Sequence, residues 1–138
     1  MARTRRLFVA AMSVAAEKQK VKKYLLIDLG NVHWAHERVD ELIEAGFEVW
    51  AFSDYSYTVR MPPQIRHVHS SEVGKNLADG FLLHKLFEAA RDDATILVVV
   101  ASKDKEMLTM GLVLKVKEPH CRYECVTSWE QLRPLLRE

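Results

Sequence analysis

The segment from Ala94 to Ala101 is the most hydrophobic stretch of the chain, and it limits the folds that the chain can adopt. Its middle part, Thr-Ile-Leu-Val-Val-Val, has no charge and is rich in β-branched residues. This pattern is typical of a strand that is buried on both faces, as in a parallel sheet covered by helices. The segment is therefore predicted to be the central strand of such a sheet.

The rest of the chain alternates between strand-like and helix-like patterns of apolar residues. Strands are predicted at 24–28, 47–52, 65–69 and 122–127, and helices at 33–45, 75–90, 104–116 and 128–136. Strands that alternate with helices of this length form βαβ units. The predicted fold class is therefore α/β, with three layers and a mostly parallel central sheet flanked by helices. The length of 138 residues suits one such domain, predicted at 24–138.

Residues 1–23 differ in charge from the body of the chain. They contain seven lysines and arginines and one glutamate, a net +6, whereas the remaining residues have a net charge of −5. The apolar run from Leu7 to Ala16 is too short to span a bilayer as a helix. A basic N-terminal helix is therefore predicted within 1–23, at residues 4–20. It could be solvated, pack against the body or against a second subunit in a homo-oligomer, or contact an RNA backbone or another acidic protein.

The chain has two cysteines, Cys121 and Cys125. On one strand they would lie about 13 Å apart, which is too far for a disulfide between them. Free thiols are typical of proteins in reducing compartments, so we expect a cytoplasmic protein with no membrane partner.

Acidic residues follow two predicted strands and open one predicted helix. Asp28 ends the first strand, Asp104 and Glu106 follow the strand at 95–101, and Asp79 lies near the start of the second long helix. Sites in open parallel sheets form outside the carboxyl ends of the strands. We therefore expect Asp28, Asp79 and Asp104 to converge, with Glu106 close by. Crowded carboxylates repel one another unless a cation neutralises them, and oxygen ligands favour Mg²⁺ or Mn²⁺.

Each of these residues also has a purely structural interpretation. Asp28 could cap the following helix, and acids in a first helical turn are stabilised by the helix dipole. Asn31 could orient a carboxylate or cap a helix, and the choice stays open. Lys75 could contact a phosphate or could be solvated. The histidine pairs at 33 and 36 and at 67 and 69 show no third and fourth zinc ligand.

Three segments carry a resemblance to a known family. Residues 26–32, Leu-Ile-Asp-Leu-Gly-Asn-Val, resemble the D-x-x-N-V opening of PIN-like and NYN-type nucleases. Residues 74–79, Gly-Lys-Asn-Leu-Ala-Asp, are similar to the G-K-N-x-x-D helix start of that family. Residues 100–107, Val-Ala-Ser-Lys-Asp-Lys-Glu-Met, resemble its S-x-D-x-D-F signature. The chain departs from the pattern at Leu29-Gly30, where a second acid is frequent, and at Glu106-Met107, where Asp-Phe is usual.

The resemblance implies a PIN-like fold and a metal-dependent ribonuclease that acts on RNA, with unpaired RNA as the expected substrate. The implied ligands of Mg²⁺ or Mn²⁺ are Asp28, Asp79 and Asp104, with Glu106 as a further acid. The ion would polarise a phosphate and lower the pKa of an attacking water. Lys75 is the candidate for contact with the phosphate or with the developing charge, and supporting roles fall to Asn31, Asn76 and Ser102.

Two other classes of protein are compatible with the same residues. The segment from Asp28 to Val32 is also close to the opening of haloacid-dehalogenase-like phosphatases, in which a strand-end aspartate is the nucleophile. That family has a second acid two residues later, where this chain has Gly30. The other class is a non-catalytic protein on a PIN-like scaffold that binds a protein partner, such as an immunity protein.

Overall fold

The structure is a computed structural model that describes residues 20–57, 59–70 and 77–137. The predicted N-terminal helix at 4–20 lies almost entirely outside these residues, and so do Lys75 and Asn76. The described residues form an α/β fold around five strands. The strands are β1 (Lys22–Asp28), β2 (Phe47–Ser53), β3 (Arg66–His69), β4 (Thr95–Ala101) and β5 (Arg122–Val126).

All four strand pairings are parallel, and the strand order is β3-β2-β1-β4-β5. The prediction of a parallel sheet is therefore confirmed. The prediction that the segment at 94–101 is the central strand is wrong, because β1 lies in the middle and pairs with both β2 and β4. The chain leaves β3, crosses over β1 through a helix and adds β4 on the other side. The direction of this crossover, rather than hydrophobicity, sets the strand order.

Four α-helices connect or follow the strands in the described part of the chain. They are α1 (Val39–Glu44), α2 (Leu77–Arg91), α3 (Glu106–Lys117) and α4 (Trp129–Leu132). The predicted helix at 33–45 is shorter than expected, because a 3-10 turn at Ala35–Arg38 precedes α1. The closing helix is also short, and Pro134 lies in a 3-10 turn at Arg133–Arg137. Ser128 is the N-cap of α4, since its side chain accepts a hydrogen bond from the Gln131 backbone N–H.

Apolar side chains alternate between the two faces of the sheet. One face, with Leu25, Ile27 and Val99, packs against Leu42 of α1 and Leu132 of α4. The other face packs against α2 and α3 through a second buried cluster that includes Leu26, Val98, Val100, Leu82, Leu86, Met107 and Leu114. The helices on both faces explain why β1 and β4 are apolar along nearly their whole length.

The parallel arrangement brings the ends of β1 and β4 to the same edge of the sheet. Ile27 pairs with Ala101, so Asp28 and Ser102 follow neighbouring positions in the ladder. The helices α2 and α3 both begin at this carboxyl edge and run back along the sheet. Among the residues that the structure describes, no helix is long and apolar enough to cross a membrane.

Candidate active site

Asp28 is the buried carboxylate at the end of the central strand, with 4% of its surface exposed. Its Oδ2 accepts hydrogen bonds from Asn31 Nδ2 at 2.8 Å and from Ser102 Oγ at 2.9 Å. Its Oδ1 accepts a hydrogen bond from the backbone N–H of Gly30 at 3.2 Å. A carboxylate has about four acceptor positions, so three donors fix its orientation and leave capacity for one more partner.

Asn31 orients this carboxylate, which resolves the alternative that the sequence leaves open. The 3-10 turn that follows begins at Ala35, and its N-cap position is Trp34. Asn31 therefore lies outside the helix start and cannot cap it. The backbone N–H groups of Asn31 and Val32 both donate to the carbonyl of Asp28, at 3.1 and 2.9 Å. This tight turn holds the Asn31 amide against the carboxylate.

Gly30 allows the close approach of the backbone to Asp28. A Cβ atom at this position would lie 3.3 Å from Asp28 Oδ1. That distance is tighter than most contacts of real Cβ atoms, so a side chain at position 30 would press on the carboxylate. Gly30 thus leaves room for Asp28, and its backbone N–H donates to the carboxylate.

Ser102 links the ends of β1 and β4. Its side chain is buried, its Oγ donates to Asp28, and the same oxygen accepts the backbone N–H of Asp104 at 3.1 Å. Its own backbone N–H donates to the Val126 carbonyl at 3.0 Å, which extends the pairing towards β5. One hydroxyl therefore positions Asp28 and the loop that carries Asp104.

Asp104 and Glu106 lie at the start of α3. Oδ1 of Asp104 accepts the backbone N–H of Glu106 at 3.0 Å, and the Asp104 carbonyl accepts the N–H of Met107 at 3.2 Å. Asp104 thus accepts hydrogen bonds from backbone N–H groups at the start of α3. This is the purely structural role that the sequence also allows for an acid in a first helical turn. Its other carboxylate oxygen can take a second partner, because a carboxylate accepts through both oxygens.

Asp79 lies in the first turn of α2 as the structure describes it, and its side chain is half-buried. Burial raises the pKa of Asp79, and the negative charges of Asp28, Asp104 and Glu106 raise this pKa further. The carboxylate of Asp79 therefore lies within electrostatic range of the other three acids. The acids that influence the pKa of Asp79 come from two other segments of the chain, the end of β1 and the start of α3.

The acids do not form a ready-made metal cage. Among residues 20–57, 59–70 and 77–137, no group of three or more His, Cys, Asp or Glu side chains is arranged to hold a metal ion. A closed protein-only site of the structural zinc type is thus not present in this part of the chain. Mg²⁺ does not need a closed set of protein ligands. It keeps several water ligands and binds through one or two carboxylates together with substrate phosphate. An anchored carboxylate with a free acceptor position beside further acids fits that requirement.

A cleft of about 390 Å³ opens beside Asn31, which orients Asp28, and beside Lys103, which precedes Asp104 in the chain. It is lined by Asn31, His33, Trp34, Glu37, Lys103 and Thr127. Trp34 forms one wall and is held in place by an edge-to-face contact with Trp129 and by its Nε1, which donates to the Thr127 carbonyl at 3.2 Å. Trp34 also packs against the core cluster that includes Leu42 and Leu132. Lys103, the basic residue of the cleft, was not singled out from the sequence.

A second polar cluster lies at the ends of β2 and β3, and its Tyr57 ring stacks on the His33 ring of the cleft with the ring centroids 6.3 Å apart. Ser53 Oγ lies 2.6 Å from His67 Nε2, and the His67 ring contacts the rings of Tyr57 and His69. Burial, followed by the neighbouring His69, lowers the pKa of His67. The sequence indicates that the two histidines share a strand face. It does not reveal Ser53 as a partner, because that contact depends on the register between β2 and β3.

Comparisons of the chain with protein-family models, with curated proteins and with solved structures found no match. The fold itself defines the class as an α/β protein with a five-strand parallel sheet flanked by helices.

Proposed function

We propose that the carboxyl edge of the sheet is the active site of a ribonuclease that cleaves RNA phosphodiester bonds with the help of Mg²⁺ or Mn²⁺. The observation that carries the proposal is the buried carboxylate of Asp28, which Ser102 Oγ, Asn31 Nδ2 and the Gly30 N–H hold at the carboxyl edge of the sheet. The same Ser102 hydroxyl accepts the backbone N–H of Asp104, and the pKa of Asp79 is raised by burial and by the charges of these acids. Burial beside three like charges is unfavourable for a carboxylate, and a divalent cation would relieve it. The ordered resemblance to PIN-like and NYN-type nucleases supports the same conclusion.

The residues of the chain have distinct parts in this proposal. Asp28 is the anchored ligand, since Ser102, Asn31 and the Gly30 N–H fix its orientation. Asp79 and Asp104 supply further carboxylates from α2 and from the start of α3. A bound Mg²⁺ would provide a Lewis acid for the phosphate and an activated water. The supporting hydrogen bonds hold the ligands in place before substrate arrives, which is how outer partners tune metal sites.

The side chains around the acids suit a phosphodiester substrate. Lys103 lines the adjoining cleft and is exposed, so its ammonium is available to a phosphate. Trp34 and His33 offer aromatic surface in the same cleft, and unpaired bases stack on such side chains. Unpaired RNA is therefore the proposed substrate class, and Lys75 and Asn76 stay as predicted contributors. The half-buried or buried thiols of Cys121 and Cys125 are compatible with the proposed cytoplasmic location.

The proposal is tested by cleavage of a fluorescent unstructured RNA by the full chain. We expect cleavage with Mg²⁺ or Mn²⁺, none with a chelator, and a loss of at least about 100-fold in Asp28→Asn, because oriented charge is the main catalytic contribution. Asp93→Asn is the matched control, since Asp93 is exposed at the opposite edge of the sheet. Cleavage that survives Asp28→Asn would contradict the proposal. Binding of RNA without cleavage under all metal conditions would favour a non-catalytic binding protein.

A further inference from the structure

The outward face of α3 carries a stripe of apolar side chains. Leu108, Leu112 and Val116 follow one another at intervals of four residues, so they lie on one side of the helix. They are 61%, 69% and 79% exposed, whereas Met107 and Leu114 on the inner side are buried. Leucine and valine at these exposures on consecutive turns are more than a solvated helix face needs.

The stripe borders a groove between α3 and strand β5, with a volume of about 600 Å³. Ile96, Leu108 and Leu112 form its apolar walls. Pro119 and His120 line the end of the groove that lies next to the start of β5. In the described part of the chain, β5 is the last strand of the sheet and pairs on one side only. An apolar groove beside an edge strand is a surface that proteins usually cover.

The first residues that the structure describes lie near the end of the groove that is lined by Pro119 and His120. The backbone N–H of Lys22 donates to the Ala94 carbonyl at 2.8 Å, and its ammonium lies 2.8 Å from Asp92 Oδ2. The His120 ring, which lines the groove, lies 3.1 Å from the Asp92 carbonyl. Residues 1–19 therefore join the body within a few residues of the groove.

The sequence of this segment matches the groove in pattern. In a helix, Leu7, Phe8, Ala11, Met12, Val14 and Ala15 would share one side. Arg6, Ser13 and Glu17 would share the other side. The segment thus has an apolar face where the body has an uncovered apolar stripe.

The segment also matches the groove in length, and its first residues are opposite in charge to the two acids at the start of α3. Sixteen helical residues, from 4 to 19, span about 24 Å, and the twelve residues of α3 span about 18 Å. Because the segment must end where β1 begins, it would run in the same direction as α3. Arg3, Arg5 and Arg6 would then reach the level of Asp104 and Glu106, whose charge is opposite.

We propose that residues 4–19 form a helix that packs along α3 and β5, covers Leu108, Leu112 and Val116, and brings its arginines to the acidic edge. The tether favours this occupant over a second copy of the chain, because a linked segment acts at an effective concentration in the millimolar range. The inference does not depend on the proposed nuclease activity.

The test is hydrogen exchange of the full chain, combined with its mass in solution. Phe8→Asp places a charge on the apolar face of the segment, and Ser13→Asp places the same charge on the opposite side. We expect amides within 108–116 to exchange about tenfold faster in Phe8→Asp, since losing the docked helix leaves α3 to open more often. Ser13→Asp should match the wild type, and both should be monomers.

A reciprocal pair of variants keeps the test informative if Phe8→Asp affects folding. Leu112→Asp should accelerate exchange in residues 7–16, whereas Ile43→Asp, an exposed apolar position on α1, should not. Equal exchange in Phe8→Asp and Ser13→Asp would overturn the proposal. A dimeric wild type whose α3 protection disappears on dilution would also overturn it, because the cover would then be a second copy.

Discussion

Ser102 Oγ lies 2.9 Å from Oδ2 of Asp28, although 74 positions separate the two residues in the chain. Both side chains are buried at the point where β1 and β4 end. The same hydroxyl accepts the N–H of Asp104, so the hydrogen bond couples the anchored carboxylate to the loop that precedes α3. A contact of this kind fixes a carboxylate before any ligand binds.

We predict that Ser102→Ala lowers RNA cleavage about 10- to 100-fold, as expected for a residue that orients a metal ligand. It should also lower the free energy of unfolding by about 1–3 kcal/mol, because buried acceptors lose a donor. Ser128→Ala is the matched control, since it removes a helix N-cap worth about 1 kcal/mol. If the two variants lose stability and activity in the same proportion, the effect of Ser102 is not specific to the site.

We predict that Asp79→Asn is more stable than the wild type at neutral pH without divalent cations. The pKa of Asp79 is raised by burial and by its acidic neighbours, so the folded protein binds this proton more tightly than the unfolded chain does. The free energy of unfolding therefore falls as pH rises from the ordinary value of 3.8 through the raised pKa. The gain in Asp79→Asn should appear above this window and disappear below it.

Thermal unfolding of both proteins between acid and neutral pH checks this sign. Asp93→Asn, at the opposite edge of the sheet, should show no comparable gain in thermal stability. Added Mg²⁺ should reduce the difference in unfolding temperature between Asp79→Asn and the wild type, because the cation would offset the same repulsion between carboxylates. A stabilisation that is equal at all pH values would show that charge is not its cause.

The contact between α3 and β5 gives a prediction about packing. A Cβ atom at Gly111 would lie 2.5 Å from Cδ1 of Tyr123, whose hydroxyl donates to the Met107 carbonyl. Gly111→Ala should therefore reduce the free energy of unfolding by about 1–3 kcal/mol through overpacking. Gly80→Ala is the control, because nothing lies within 4 Å of its added Cβ. That variant should gain about 0.5–1 kcal/mol from helix propensity. Urea denaturation of the two variants compares these signs directly.

The nuclease and phosphatase interpretations differ in covalent chemistry. A phosphatase of the haloacid-dehalogenase-like type would form an aspartyl-phosphate at Asp28, whereas a water-activating nuclease leaves no adduct on the protein. Both oxygens of Asp28 already accept hydrogen bonds, and Gly30 stands where an acid would protonate the leaving group. We predict that beryllofluoride does not bind at Asp28. A beryllofluoride adduct on Asp28 in a crystal structure would favour the phosphatase.

Hydrophobic patterning predicts the five strands and the parallel sheet well, because both follow from the alternation of strands and helices. The close convergence of the acids stays a prediction. Hydrophobic patterning does not predict the order of the strands in the sheet. The segment at 95–101 is more hydrophobic than β1, yet β1 occupies the centre of the sheet. Helices cover both strands, so hydrophobicity does not indicate which of the two is central. The direction of a single crossover decides between these arrangements.

Contacts within the site depend on details that patterns do not contain. Asn31 orients Asp28 because the next helical turn begins at Ala35, and this boundary could not be read from the sequence. The contact between Ser53 and His67 requires the register in which Ala51 pairs with His67. Local propensities indicate that such residues are near the edge, while long-range pairing determines which atoms meet.

In the proposed mechanism Asp28 holds a divalent cation together with substrate phosphate. The decisive measurement is Mn²⁺ binding by electron paramagnetic resonance, with a non-cleavable deoxyoligonucleotide present. We expect wild-type protein and Asp93→Asn to bind the ion, and Asp28→Asn to bind it at least about tenfold more weakly, the change expected for loss of an oriented ligand. Equal affinity of Asp28→Asn and the wild type for Mn²⁺, or no binding by either, would contradict the claim.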